Sequence, residues 1–150
     1  MKILNPLAKD GKINEDAGVR DKQSIIINAP VEKIWNILID IPNWPDWNQD
    51  IKIDRIGSVA EGETFKWQLQ GQSIKSEIQK IEKNQLLTWT SQSQLTKAVN
   101  VWRCEDAGDN QTIVTIEESI QGFLTVFFGH QKLHNILLNW LGRLKKKAEE

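Results

Sequence analysis

In 150 residues the chain has one cysteine, one methionine, four prolines and no tyrosine. The single thiol, Cys104, can close no internal disulfide, so the chain lacks the stapled framework of a small secreted domain. A strong surplus of either sign of charge is also missing: 19 Lys and Arg stand against 20 Asp and Glu, for a formal charge of -1. Nucleic-acid binding calls for a basic surplus or stripe, and this balance offers none. No apolar run approaches the roughly 18 residues needed to cross a bilayer. No signal-peptide pattern follows Met1, which predicts a cytoplasmic protein. Glycine-rich phosphate loops, Cys-x-x-Cys pairs and nucleophile elbows are absent from the sequence. No cofactor is therefore expected.

What the chain has instead is tryptophan, seven of them. Packing a domain of this size rarely calls for so many indoles, which suggests an aromatic-lined interior. Residues 1–21 mix Pro, Gly, Asn and charge without periodicity and read as an irregular N-terminal arm; residues 22–150 read as one domain. A β-branched run over 22–28 leads to Pro30, which suits the first position of a helix. Val31, Ile34, Trp35 and Leu38 then form one apolar stripe, stopped at Asp40-Ile41-Pro42. The following Trp44-Pro45-Asp46-Trp47 permits only a short helical turn, and it reads as a cover or gate over an opening.

From Gln49 the apolar period changes from 3.6 to 2, in runs over 51–57, 64–70, 73–82, 85–91, 98–106 and 111–121. Connections this short force antiparallel hairpins. After Gly122, the residues Val126, His130, Leu133, Leu137, Trp140, Leu141, Leu144 and Ala148 recur at helical spacing. The expected architecture is α+β: about seven antiparallel strands around one long C-terminal helix, with two short helices between strands 1 and 2.

Parity sorts the faces. Phe65, Trp67 and Leu69 fall inward, as do Ile74, Ser76 and Ile78, then Leu87, Trp89 and Ser91, and Val114, Ile116, Glu118 and Ile120. In the sixth strand Trp102 shares a face with Ala98, Asn100 and Cys104, against Val99, Val101 and Arg103, and pattern alone does not choose between them. Such a face is either a filled core or a small-molecule cavity carrying two polar groups, Asn100 and Glu118. Glu118 either points into that interior or reaches solvent or Arg103. His130 and His134 lie one helical turn apart, but Gln131 stands where a zinc-protease helix needs glutamate, and no metal is expected. His130 reads as a core or cavity-wall residue. The basic run at Arg143, Lys145, Lys146 and Lys147 complements the helix dipole and could touch an anionic membrane transiently.

The segments Ile27-Asn28-Ala29-Pro30-Val31-Glu32-Lys33-Ile34-Trp35 and Asp40-Ile41-Pro42-Asn43-Trp44-Pro45-Asp46-Trp47-Asn48 carry a family resemblance. Val101-Trp102, Val114-Thr115-Ile116-Glu117-Glu118-Ser119 and the Leu-rich final helix carry it further. In order and type these motifs resemble the START-like, SRPBCC helix-grip superfamily, in its polyketide cyclase/dehydrase branch. The resemblance spans roughly residues 10–148. It implies a cavity between sheet and C-terminal helix that binds or transports a small hydrophobic molecule of lipid, polyketide or aromatic type. A cyclase or dehydratase, and a protein-interaction domain like chaperone partners, are the alternatives it leaves. Asn100 stands where many relatives carry histidine, which weighs against catalysis. The expected lining is Trp44, Trp47, Phe65, Trp67, Leu69, Ile78, Trp89, Asn100, Trp102, Ile116, Glu118, His130, Leu133 and Leu137.

Overall fold

The computed structural model describes residues 4–122 and 129–150. The strands are β1 (Val19–Ile27), β2 (Ile51–Ile56), β3 (Thr64–Leu69), β4 (Gln72–Glu82), β5 (Leu86–Ser93), β6 (Thr96–Gly108) and β7 (Gln111–Gly122). They form one antiparallel sheet in the order β1-β7-β6-β5-β4-β3-β2. The described residues also form helices α1 (Leu4–Lys9), α2 (Val31–Ile39) and α3 (His130–Ala148) and a 3-10 segment (Ile41–Asp46). This is the expected helix-grip α+β fold. Strands β2 to β7 follow one another as hairpins, whereas β1 closes onto β7, so α2 and the 3-10 segment carry the chain from one edge to the other.

Several local expectations need correction. Residues 4–9 form a helix, and the first strand begins at Val19, within the segment expected to be irregular. The signal was weak because α1 is only six residues long. The polar stretch 92–97 is largely strand: β5 and β6 run on to a tight turn at Gln94-Leu95, where Gln94 adopts φ 48°. Pro30 caps α2 in an extended conformation and is not its first helical residue. The final helix begins at His130 and runs 19 residues; Val126 lies outside the described residues.

Helix α1 explains why β6 could not be assigned a face. Leu4, Ala8 and Ile13 pack against Leu86, Val99 and Val101 on the outer side of the sheet, forming a second apolar cluster. Thr88 Oγ1 donates to the Ala8 carbonyl at 2.8 Å, and Thr90 Oγ1 to Asn5 Oδ1 at 3.0 Å. Arg103, also on this side, donates to the Gly11 carbonyl at 2.7 Å and so is no partner for Glu118. With both faces covered, β5 and the middle of β6 are buried at successive positions and lose the alternation of burial.

The main core lies on the inner side, between the sheet, α2 and the buried stripe Leu133, Ile136, Leu137, Trp140, Leu141, Leu144 and Ala148 of α3. The C-terminal end of α3 is tied down by its charges. Arg143 donates to Asp50 Oδ2 at 2.8 Å and to Asn48 Oδ1 at 2.5 Å, and Lys145 pairs with Glu149 at 2.5 Å.

Candidate functional site

Register places the inner side chains in rows. Ser76, Ser91, Ala98 and Ile120 form one row; Ile78, Trp89, Asn100, Glu118 and Asp21 the next; Leu87, Trp102, Ile116 and Gln23 a third. The interior above these rows divides into a filled part and an open part.

Tryptophans occupy the filled part. Trp44 is fully buried, with ring centroids 5.1 Å from Trp140, 5.3 Å from Trp89, 5.7 Å from Trp67 and 5.9 Å from Phe65. Its Nε1 donates to the Leu38 carbonyl at 2.9 Å, so the residue expected to gate an opening is a core residue held at both ends. The two prolines of its segment shape the 3-10 turn that seats this indole. Trp140 extends the cluster to Trp102 at 5.4 Å and Trp47 at 5.6 Å. Trp47 is 6% exposed and borders a surface depression beside α2.

The open part is a cavity of about 290 Å³. Trp67, Ile74, Ala98, Ile120, Ile136 and Trp140 give it apolar walls, and Ser91, Ser93, Thr96, Asn100 and Glu118 are polar groups on its sheet side. Exposed Gln70, Gln72, Gln94 and Lys132 stand at its rim, near the β3–β4 and β5–β6 turns and the first turns of α3.

Two hydrogen-bond chains reach the sheet side. In the orientation that satisfies its neighbours, the Asn100 amide accepts from Trp89 Nε1 at 3.2 Å and donates to Glu118 Oε1 at 3.0 Å. Trp67 Nε1 donates to Ser76 Oγ at 3.0 Å, and Ser76 and Ser91 share a hydrogen bond of 2.7 Å. Burial pushes the Glu118 carboxyl up to about 8, since ionisation would place a charge among apolar walls. Beside this site, Asp21 Oδ2 lies 3.1 Å from His134 Nδ1 on α3, and Gln23 Nε2 lies 3.0 Å from the same nitrogen.

Of the residues expected to line a site, Trp67, Leu69, Asn100 and Glu118 face the cavity. Phe65, Trp44, Trp47, Trp89 and Trp102 belong to the aromatic cluster, while Ile78, Ile116, Leu133 and Leu137 are fully buried core. His130 is exposed at the first position of α3, because its expected place in the stripe falls where the helix is only beginning. Sequence reasoning missed Trp140 and Ile136 as cavity walls. Ile136 follows Leu133 by three and precedes Trp140 by four, a spacing that puts all three on one face. The Asp21–His134 pair was missed because Asp21 was assigned to the lead-in.

Among the described residues no group of three or more His, Cys, Asp and Glu is placed to hold a metal ion. No helix among them is long and apolar enough to cross a membrane.

Comparison with known proteins agrees with this geometry. Over 87% of this chain and 97% of the other, the fold is similar to a START superfamily protein from Mycobacterium smegmatis, with 17% identity and a TM-score of 0.73. The Zhui aromatase/cyclase from Streptomyces sp. R1128 is similar over 87% and 93% of the two chains, with 12% identity and a TM-score of 0.72. The protein XoxI from Bacillus cereus is similar over 88% and 96%, with 13% identity and a TM-score of 0.72. A search of curated protein sequences gives no match. Residues 19–149, from the start of β1 to the end of α3, match the model of the polyketide cyclase / dehydrase and lipid transport family, and the chain belongs to that family.

Proposed function

We propose that this chain binds or carries a small hydrophobic molecule in the cavity between the sheet and α3 and does not transform it. The observation that carries this reading is a cavity with apolar walls of Trp, Ile and Ala side chains and polar groups on its sheet side and rim, the usual chemistry of a small-molecule site. Its volume, about 290 Å³, suits a compact ring system or a short chain and is too small to enclose a two-chain lipid. A protein-interaction role would leave such a cavity without a purpose.

Catalysis by a cyclase or dehydratase would need a partnered acid and base at the reacting atoms. Glu118 is the one titratable group on the cavity's sheet side, and its partner Asn100 cannot take up or release a proton. Glu118, with its carboxyl pushed up to about 8, keeps the enzymatic reading in view as a single general acid.

The test is solvent extraction of the purified protein followed by mass spectrometry, together with titration by an apolar probe that quenches indole emission. A co-purifying hydrophobic compound and saturation near one probe per chain are expected. Absence of any saturable binding would reject the reading. Turnover of a polyketide or related carbonyl substrate that disappears in Glu118→Gln would replace it with the cyclase.

A further inference from the structure

We propose that the mouth of the cavity is a head-group site for an uncharged, multiply hydroxylated group of sugar or polyol type, read by Gln70, Gln72 and Gln94. This rests on the binding reading above and names the polar end of the ligand. Hairpin tips at the two ends of the sheet differ in composition. At the far end, the turns 82–85 and 106–110 carry Glu82, Lys83, Asp106 and Asp109. At the mouth, Gln68-Leu69-Gln70-Gly71-Gln72-Ser73 and Ser91-Gln92-Ser93-Gln94-Leu95-Thr96 hold five glutamines and no charged residue, in a chain that is 26% charged.

Backbone conformation sharpens the contrast. Among the described residues other than glycine, positive φ occurs at Gln70 (51°), Asn84 (64°), Gln94 (48°), Asp109 (54°) and Asn110 (58°). Asparagine and aspartate enter this left-handed region readily, because their short side chains bond the local backbone, whereas a longer side chain gains no such relief. The far-end turns use these short residues. Both tips at the mouth place glutamine there instead, and the Gln70 and Gln94 side chains line the cavity. Strained positions of this kind concentrate where a side chain serves a ligand.

The mouth is also pre-formed. Gln72 Nε2 donates to Ser93 Oγ at 2.9 Å, and Ser93 Oγ donates to the Ser73 carbonyl at 2.7 Å, which ties one tip to the other. Gln70 Nε2 lies 3.4 Å from Asp50 Oδ2, a carboxylate already held by Arg143 at 2.8 Å. That leaves the side-chain oxygens of Gln70 and Gln72 and both ends of the Gln94 amide to pair with a guest. An amide both donates and accepts, as does each hydroxyl of a sugar, whereas a charged head placed here needs a counter-charge. Lys132 on α3 is the charged side chain at the rim, so the experiment includes an anionic head.

The experiment measures displacement of bound N-phenyl-1-naphthylamine by octan-1-ol, octyl β-D-glucoside and octyl phosphate, and by 2-naphthol and 2-naphthyl β-D-glucoside. In at least one pair the glucoside should bind about tenfold tighter than the alcohol with the same body, the worth of one or two net hydrogen bonds. The pair with the larger ratio identifies that body as a chain or a ring. Gln70→Gly and Gln94→Gly relieve the left-handed positions and remove the amides. Both variants should therefore be at least as stable to denaturant and lose most of the ratio, with binding of the alcohols unchanged. Asn84→Gly, at the far end, should leave the ratio as it is. A fall in stability of the glutamine variants would mean that these side chains hold the turns, and would overturn their assignment to a ligand. Equal affinity for glucoside and alcohol in both pairs, or preference for octyl phosphate over octyl glucoside, would overturn the sugar head and leave the cavity reading standing. Absence of saturable probe binding would reject both.

Discussion

Asp21 and Glu118 stand opposite each other across β1 and β7, two carboxyl groups on one face of the sheet. Asp21 has His134 and Gln23 beside it, whereas Glu118 has the Asn100 amide. A negative Asp21 disfavours a second charge at Glu118. Asp21→Asn should therefore lower the Glu118 titration midpoint by roughly half a unit to one unit, followed by carbon-13 NMR of the side-chain carboxyl. An unchanged midpoint would mean that Asp21 exerts no charge effect on Glu118.

Glu118 also ties stability to pH. Its folded-state value, about 8, lies above the ordinary 4.5, so between these values the native state holds a proton that the unfolded chain has lost. Its contribution is complete below pH 4.5 and is lost as pH rises through about 8. The full difference is at most about 4–5 kcal/mol, and less because the cavity admits water. Chemical denaturation at pH 6 and pH 9 should show Glu118→Gln gaining stability relative to the unaltered protein at the higher pH. A constant difference across this range would contradict the buried placement.

Cys104 is buried, and burial pushes its thiol up to about 12. Reaction depends on the thiolate, so the native protein should resist disulfide reagents at pH 8. Labelling should proceed only through unfolding and accelerate with denaturant in step with the loss of structure. Rapid stoichiometric labelling of the folded protein would show that this part of β6 opens locally.

Gly122 pairs with Thr96 at the end of β7 and has φ 126°, a conformation L side chains rarely adopt. A Cβ there would fall 2.1 Å from the Leu95 carbonyl oxygen. Gly122→Ala should cost more than about 2 kcal/mol by thermal or chemical unfolding and loosen the β5–β6 turn at the cavity rim. Unchanged stability would place the backbone in a different conformation.

Trp44→Ala should destabilise the protein by about 3–5 kcal/mol, the cost of removing a large buried aromatic side chain. Trp47→Ala should cost less, because Trp47 has one aromatic neighbour in the cluster where Trp44 has four. A change in ligand exchange without loss of stability in Trp44→Ala would return that residue to the role of gate.

The fold was legible because its signals are local. The 3.6-to-2 change of period after Gln49, the short turns and the stripe along the last helix survive without knowledge of partners. The site was less legible because each cavity wall depends on which neighbour lies above it. Trp89 and Trp140 have the same chemistry, yet only Trp140 borders open space. Parity located Asn100 and Glu118 correctly on one face once Trp102 was taken as inward. It failed to distinguish faces for Val99 and Val101 because α1 buries the opposite side as well. The polarity of the Trp89–Asn100–Glu118 chain depends on cross-strand register, which a single sequence does not display.

Helix α1, pinned by Thr88, Thr90 and Arg103, clamps the middle strands from behind. The wall formed by β5 and β6 is thereby the stiff side of the container. The sides that the clamp does not touch are Ile136 and Trp140 of α3 and the turns at Gln70-Gly71 and Gln94-Leu95. The clamp on the far face thus sets the direction in which the interior can breathe, although it lies outside the interior itself.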